Sequence, residues 1–284
     1  MQFIFGAASF AKNYHRKKKY NLSEKEKIKI LKNLNKLGIK KIDTSPDYGD
    51  VEKLIGLYCN KSILVDSKLP SLKNRLKGMK LADWIDKKID QTLKNINKNK
   101  LDIYYFHDPR NLLSTNGSIA YDKVNKLKSQ NIIKKIGISI YDPKILDLIL
   151  RNYDIDTIQS PFNIFDNRII SSKYEKKIKK KKIELIVRSV FLQGILINKD
   201  FRFKIKDINS LKLLDKWYEY LNENKLNALN QCISFVKMNN IKNIIVGTNN
   251  FKDLSKIVKY QYKNNKDLMK FKTRYKNLIE PFRW

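Results

Sequence analysis

LDIYYFHDPRNLLSTNGSIAYDKVNKLKSQNIIKKIGISIYDPKILDLILRNYDIDTIQ, residues 101–159, carries the alternation that decides the fold. Leu101–His107 is a short run rich in Tyr, Ile and Phe, which reads as a strand. Ile119–Lys128 spaces its apolar residues for a helix, and Lys135–Ser139 reads as a second strand. Pro143–Arg151 is helical again and Thr157–Gln159 a third strand. Strands separated by helices belong to a parallel sheet, because a parallel partner needs a long crossover.

Outward from this stretch the pattern continues in both directions. Further strands are expected at Gln2–Ala7, Lys40–Asp43, Ser62–Lys68, Ile183–Arg188 and Asn243–Gly247, which makes eight. Helices are expected at Leu22–Leu37, Leu81–Ile96, Asn167–Ile178, Ala228–Met238 and Asn250–Tyr262, and Leu211–Leu221 also reads as helix. Ser23 and Glu26 stand at capping-box spacing before the first of these. No proline- or glycine-rich linker divides the 284 residues. Length and strand count together predict one α/β domain over residues 1–284, a (β/α)₈ TIM barrel, a fold of roughly 250 residues. The alternative is a doubly wound open sheet. It usually has fewer strands, and its GxGxxG fingerprint is absent, as are GxxxxGK(S/T) and GxSxG.

Lysine and arginine total 60 against 28 acids, a net charge of +32. Most of the cations are lysines spread over the whole chain among asparagines and isoleucines, a compositional pattern rather than a local patch. The Arg16–Lys19 cluster and the Lys176–Lys182 run interleave no aromatics of the kind that stack on bases. No nucleic-acid partner is therefore expected, although the charge helps to attract anionic ligands. Cys59 and Cys232 are isolated, which suggests a reducing compartment. The positive charges near the start follow an apolar run, the reverse of a signal peptide, and no apolar stretch approaches the roughly 20 residues of a membrane span. A cytoplasmic protein without a membrane partner is expected. With only His15 and His107 as histidines, no metal site is expected.

A barrel of this kind places its active site at the C-terminal ends of the strands. Asp43 ends the second expected strand, Tyr48 follows it, Lys68 ends the third and His107 the fourth. Taken singly, each has an ordinary structural role open to it. Together at one barrel mouth they suit carbonyl reduction. Hydride transfer builds negative charge on the carbonyl oxygen, and a proton must arrive there. Tyrosine is a weak acid, an adjacent ammonium favours its phenolate, and a carboxylate holds that ammonium in place. A histidine donor can orient the carbonyl.

The stretch Ile42-Asp-Thr-Ser-Pro-Asp-Tyr48-Gly-Asp-Val-Glu52-Lys-Leu-Ile-Gly56 resembles the aldo-keto reductase segment of form DTAxxYGxxExxLG. The resemblance continues in order along the chain. Phe5-Gly-Ala-Ala-Ser-Phe is similar to LGTAxFG, Leu101–His107 to YLDLYLLH, and Ile133-Lys-Lys-Ile-Gly137-Ile-Ser139 to VRAIGVSN. Ile158-Gln159-Ser-Pro-Phe-Asn163 is similar to VQIPYN, and Ile244-Ile-Val-Gly247-Thr to IIVGV. The resemblance implies that Tyr48 is the acid, that Lys68 and Asp43 tune it, and that His107 orients a small carbonyl substrate. It also implies a nicotinamide coenzyme bound without a Rossmann motif, NADPH by the family's habit, with NADH as the alternative. Ser139 and Gln159 match the positions that hold the nicotinamide carboxamide. Ser189 matches the phosphate-side turn, where Gly194 lets backbone approach a pyrophosphate. Gly247, Thr248 and Asn249 open the helix after strand eight, whose N-terminal amides suit an anion.

Three departures from the family pattern matter. Ile140 stands where many members have Asn, and Arg188 where many have the Tyr that stacks on nicotinamide. The guanidinium either stacks in its place or takes an acidic substrate. Thr248, Asn249 and Lys252 match a 2′-phosphate site poorly. The runs RSVFLQG and YDP resemble the bacterial branch associated with surface-polysaccharide and nucleotide-sugar pathways, which makes a sugar or nucleotide-linked sugar an expected substrate. The rival functions are a coenzyme-binding regulatory subunit on the same fold and a basic nucleic-acid-binding protein.

Overall fold

Eight short strands carry the chain round a ring. In a computed structural model describing residues 1–12, 22–72, 78–248 and 250–284, these are β1 (Gln2–Gly6), β2 (Lys41–Asp43), β3 (Leu64–Leu69), β4 (Leu101–Phe106), β5 (Ile133–Ser139), β6 (Thr157–Pro161), β7 (Glu184–Arg188) and β8 (Asn243–Val246). They pair in parallel in sequence order, and β8 closes on β1. Around them lie α1 (Glu24–Asn33), α2 (Val51–Tyr58), α3 (Gly78–Ile96), α4 (Gly117–Ser129), α5 (Leu146–Asn152), α6 (Ser172–Lys180), α7 (Ile208–Glu223), α8 (Ala228–Met238), α9 (Phe251–Val258) and α10 (Lys276–Ile279).

Alternation along the strands makes two cores. Ile103 and Tyr105 point into the barrel and pack with Ile4, Ile186 and Ile245. Tyr104 and Phe106 point outward and join the helices in the larger core, with residues such as Ile85, Ile89 and Val124. Gly137 faces Tyr105 across the β4–β5 pair, and a Cβ there would lie 2.3 Å from the Tyr105 ring. Only glycine leaves the barrel interior room for that ring.

All eight expected strands form, within one or two residues at each end. The helices differ more. α2 is not foreseen by periodicity, because it has only 8 residues and contains Gly56. α6 begins at Ser172 rather than Asn167 because Arg168 is drawn aside into ion pairs with Asp166 and Glu280, at 2.9 and 3.1 Å. α9 stops at Val258, and Tyr260 turns away to meet Phe3 edge-on at 6.0 Å. Ser23 caps α1 by accepting from the Glu26 amide, but the Glu26 carboxylate does not complete a capping box. It accepts from the Phe251 amide at 2.6 Å and ties α1 to the start of α9.

Among the described residues no helix is long and apolar enough to cross a membrane, and no group of His, Cys, Asp and Glu is placed to hold a metal ion. Cys59 and Cys232 are free thiols. Part of the Lys176–Lys182 run is neutralised, Lys177 by Asp147 and Lys179 by Glu175. The Arg16–Lys19 cluster, His15 and Asn249 lie outside the described residues.

Candidate active site

Tyr48 is set by its own short sequence. Ser45 caps a turn of 3₁₀ helix, Pro46–Tyr48, by accepting from the Asp47 amide at 3.2 Å, and Pro46 sits in the first turn. Gly49 follows with φ of 75°, a backbone conformation open to glycine, and turns the chain into α2. The phenol is thereby delivered to the barrel mouth directly above β2. Glu52, in the first turn of α2, is buried and accepts from Ser67 of β3 at 2.8 Å, which pins the helix to the neighbouring strand.

The centre of the site is a buried ion pair. The Lys68 ammonium donates to both Asp43 oxygens, at 2.8 and 2.7 Å, and to the Thr44 carbonyl at 2.7 Å. Those three bonds match the three protons of an ammonium, so the group is held in one position. Burial opposes the charge on Lys68, but Asp43 and Tyr48 outweigh it and hold the ammonium above its ordinary value. Asp43 also accepts from Gln159 at 2.8 Å, and Gln159 accepts from the Ser139 hydroxyl at 3.2 Å. One polar network thus crosses the mouth from β2 to β5.

The Tyr48 ring lies 5.3 Å from the Lys68 ammonium and meets His107 edge-on, with ring centroids 6.4 Å apart. Burial raises the Tyr48 phenol above its ordinary value, and the charge of Lys68 opposes this without overcoming it. The phenol is therefore protonated at neutral pH, as a proton donor must be. His107 Nδ1 bonds Asp47 Oδ2 at 2.8 Å. Sequence reasoning did not single out Asp47, although it adjoins Tyr48 in the quoted motif. Its partner lies 60 residues away and shows only in the fold.

One cavity of about 840 Å³ gathers the expected residues. Asp43, Tyr48, Lys68, His107, Ser139, Gln159, Arg188, Ser189, Gly194, Gly247 and Thr248 all line it. Tyr141, Phe191, Phe201, the start of α8 and the inner face of α9 also line it, and motif reading missed these. Lys252 does not; it is exposed, and the cation of α9 that faces the cavity is Lys256, paired with Asp253 at 3.4 Å.

The lining fits an elongated, anionic coenzyme. After β7, Ser189, Leu192, Gln193 and Gly194 all have positive φ, at 58°, 46°, 53° and 91°. Left-handed conformations cost non-glycine residues about 1–3 kcal/mol each and cluster at ligand sites. The Leu192 and Gly194 amides are spent inside the turn, on the Ser189 and Phe191 carbonyls at 2.9 and 2.8 Å. Asn163 steadies this turn by donating to the Ser189 carbonyl at 3.2 Å. Gly194 is also required by packing, since a Cβ there would lie 2.8 Å from the Phe201 ring. At the start of α9 the expected anion position is different. The Phe251 amide is already engaged by Glu26, and Thr248 bonds the carbonyl of Asn250 at 2.8 Å.

Comparison with known proteins agrees with the fold. Solved structures of like fold include an aldo-keto reductase from Bacillus halodurans, with a TM-score of 0.69 at 15% identity over 95% of this chain and 90% of that one. The glycerol dehydrogenase from Gluconobacter oxydans scores 0.69 at 16% identity, over 94% and 89%. A putative 2,5-diketo-D-gluconic acid reductase B scores 0.67 at 14% identity, over 96% and 88%. A search of the curated proteins finds no match. The family model described as "Aldo/keto reductase family" matches residues 2–272. The chain thus belongs to the aldo/keto reductases, oxidoreductases that use NAD(P)H and act on carbonyl and alcohol groups.

Proposed function

We propose that this enzyme reduces an aldehyde or ketone to an alcohol, with Tyr48 as the proton donor. The observation that carries the reading is the buried Lys68–Asp43 pair, with its ammonium 5.3 Å from the ring of a protonated tyrosine. A bound nicotinamide coenzyme, NADPH first and NADH second, supplies the hydride. Ser139 and Gln159 offer hydroxyl and amide groups to its carboxamide end. The strained turn from Ser189 to Gly194 faces its phosphates, and Gly247 and Thr248 line the same cavity beside a helix start whose Phe251 amide is already taken by Glu26. Asn249 belongs to the same proposal by its sequence position.

Tyr48 gives its proton to the developing alkoxide, and the fixed ammonium of Lys68 stabilises the phenolate left behind. Asp43 keeps that ammonium charged in a site that burial would otherwise neutralise. His107 directs the substrate carbonyl toward Tyr48. The names of two of the similar structures concern a polyol and a sugar acid, so sugar-derived carbonyl compounds are the first to assay. The comparisons do not favour the nucleotide-linked sugars suggested by the bacterial-branch resemblance.

Fluorescence titration with NADPH and NADH, beside a reduction assay of Tyr48→Phe, tests the proposal. Saturable coenzyme binding by both proteins is expected, with turnover reduced about 10²–10⁴-fold in the variant. Failure to bind either coenzyme, or full turnover without the Tyr48 hydroxyl, would sink it.

A further inference from the structure

Arg188 ends β7, is half-buried and lines the reaction cavity. Its guanidinium is held on several sides. It stacks on the Tyr141 ring at 4.3 Å, donates through Nη2 to the Ile140 carbonyl at 3.1 Å, and through Nη1 to the Ser189 hydroxyl at 3.3 Å. Tyr141 is buttressed in turn by Phe282 at 5.1 Å. A long, flexible side chain has thus been fixed in one place.

The charge of Arg188 has no protein counter-ion among the described residues. The other cations of the cavity wall do. Lys68 is neutralised by Asp43, and Lys256 lies 3.4 Å from Asp253. The other half-buried arginines behave likewise, since Arg168 pairs with Asp166 and Glu280, and Arg202 with Asp215 at 2.8 Å. Holding an unpaired cation partly out of water is costly, and pockets keep such groups where a ligand supplies the missing charge. A guanidinium fork suits the paired oxygens of a carboxylate or phosphate. Arg188 lines the same cavity as Tyr48, and its charge reaches the phenol.

We propose that Arg188 is the anion receptor of the substrate pocket, and that the carbonyl substrate carries a carboxylate or phosphate group bound by it while the carbonyl faces Tyr48 and His107. This rests on the reductase reading and narrows it to anionic substrates.

Titration calorimetry with unreactive pairs tests it, using butyrate against butyramide and glycerol 3-phosphate against glycerol. Wild type, Arg188→Leu and Arg188→Lys are compared with and without saturating coenzyme. Wild type is expected to bind one anion on the order of 10–100-fold more tightly than its neutral partner. The stronger anion identifies carboxylate or phosphate. Arg188→Leu should erase the preference and leave the neutral ligands unchanged, and Arg188→Lys should restore part of it. No preference in wild type, or a preference that survives Arg188→Leu, overturns the proposal. So does a coenzyme affinity that falls tenfold in Arg188→Leu, because the cation would then serve the coenzyme. The arm without coenzyme gives a result even if the reductase reading fails, and that failure shows separately in the Tyr48→Phe assay.

Discussion

At the scale of single residues, Asp47 governs what His107 can do. Its carboxyl is held below the ordinary carboxylate value, chiefly by the bond to His107, with burial pulling the other way. An ionised carboxylate can only accept, so His107 Nδ1 carries a proton in this pair. Nε2 then bears a second proton only in the imidazolium, and only in that form does it donate to a substrate carbonyl. In Asp47→Asn the amide can donate to Nδ1, and a neutral imidazole can present its N–H at Nε2. The variant is expected to move the neutral ring toward the Nε2–H tautomer, read from the imidazole nitrogen shifts by NMR. Unchanged shifts would remove Asp47 from control of the tautomer. Tyr48, Lys68 and His107 were legible as a set that meets at one barrel mouth because one contiguous motif and two strand ends display them. Asp47 was not, since its role exists only through a partner brought in by the fold.

At the scale of elements, the quoted motif is as much about helix packing as about catalysis. A Cβ at Gly56 of α2 would lie 2.1 Å from the Asn95 carbonyl oxygen and 2.9 Å from the Ile96 carbonyl carbon, both backbone atoms of α3. Backbone cannot yield as a side-chain tip can, so Gly56→Ala must push the two helices apart. We expect a loss of about 1–3 kcal/mol in urea denaturation, with turnover per folded molecule preserved. An unchanged midpoint would show that α2 shifts freely. Strands were easier to read than helices, because a run of apolar residues marks a strand that is buried on both faces. The start of α6 and the end of α9 depend on Arg168 and Tyr260, whose partners lie elsewhere in the chain.

At the scale of the whole molecule, the barrel interior contains an ionisable carboxyl that its length and composition do not reveal. Asp66 of β3 is fully buried, neither of its oxygens has a hydrogen-bond partner among the described residues, and the Lys41 ammonium stands off at 3.7 Å. Burial raises its pKa well above the ordinary value, Lys41 opposing and Asp43 adding to the rise. A carboxyl whose folded pKa exceeds its unfolded one stabilises the fold below the unfolded value of 3.8 and loses that contribution as pH rises toward the folded one. Asp66→Asn escapes this loss. Its unfolding free energy in urea denaturation should overtake that of wild type progressively from pH 4 upward, by an amount on the order of 1 kcal/mol. A gap that stays constant with pH would contradict the shifted titration.

The sequence by itself determined the eight strands, the single barrel and the residues Asp43, Tyr48, Lys68 and His107 at its mouth. Periodicity and motif are local properties, and a strand end on a closed parallel ring can face only one site. Tertiary structure alone decided how those groups are wired. The Asp43–Gln159 bond spans 116 residues and the Glu26–Phe251 bond 225, separations across which no local pattern carries information. It also decided that Arg188 has no counter-ion among the described residues and that Asp66 has only Lys41, at 3.7 Å and without a hydrogen bond. In the sequence Arg188 stands out only as a departure from the family pattern, and Asp66 looks like any other charged residue in a chain this rich in them. Only ring closure, which fixes burial and the identity of every neighbour, leaves one facing the substrate cavity unpaired and the other sealed inside the barrel.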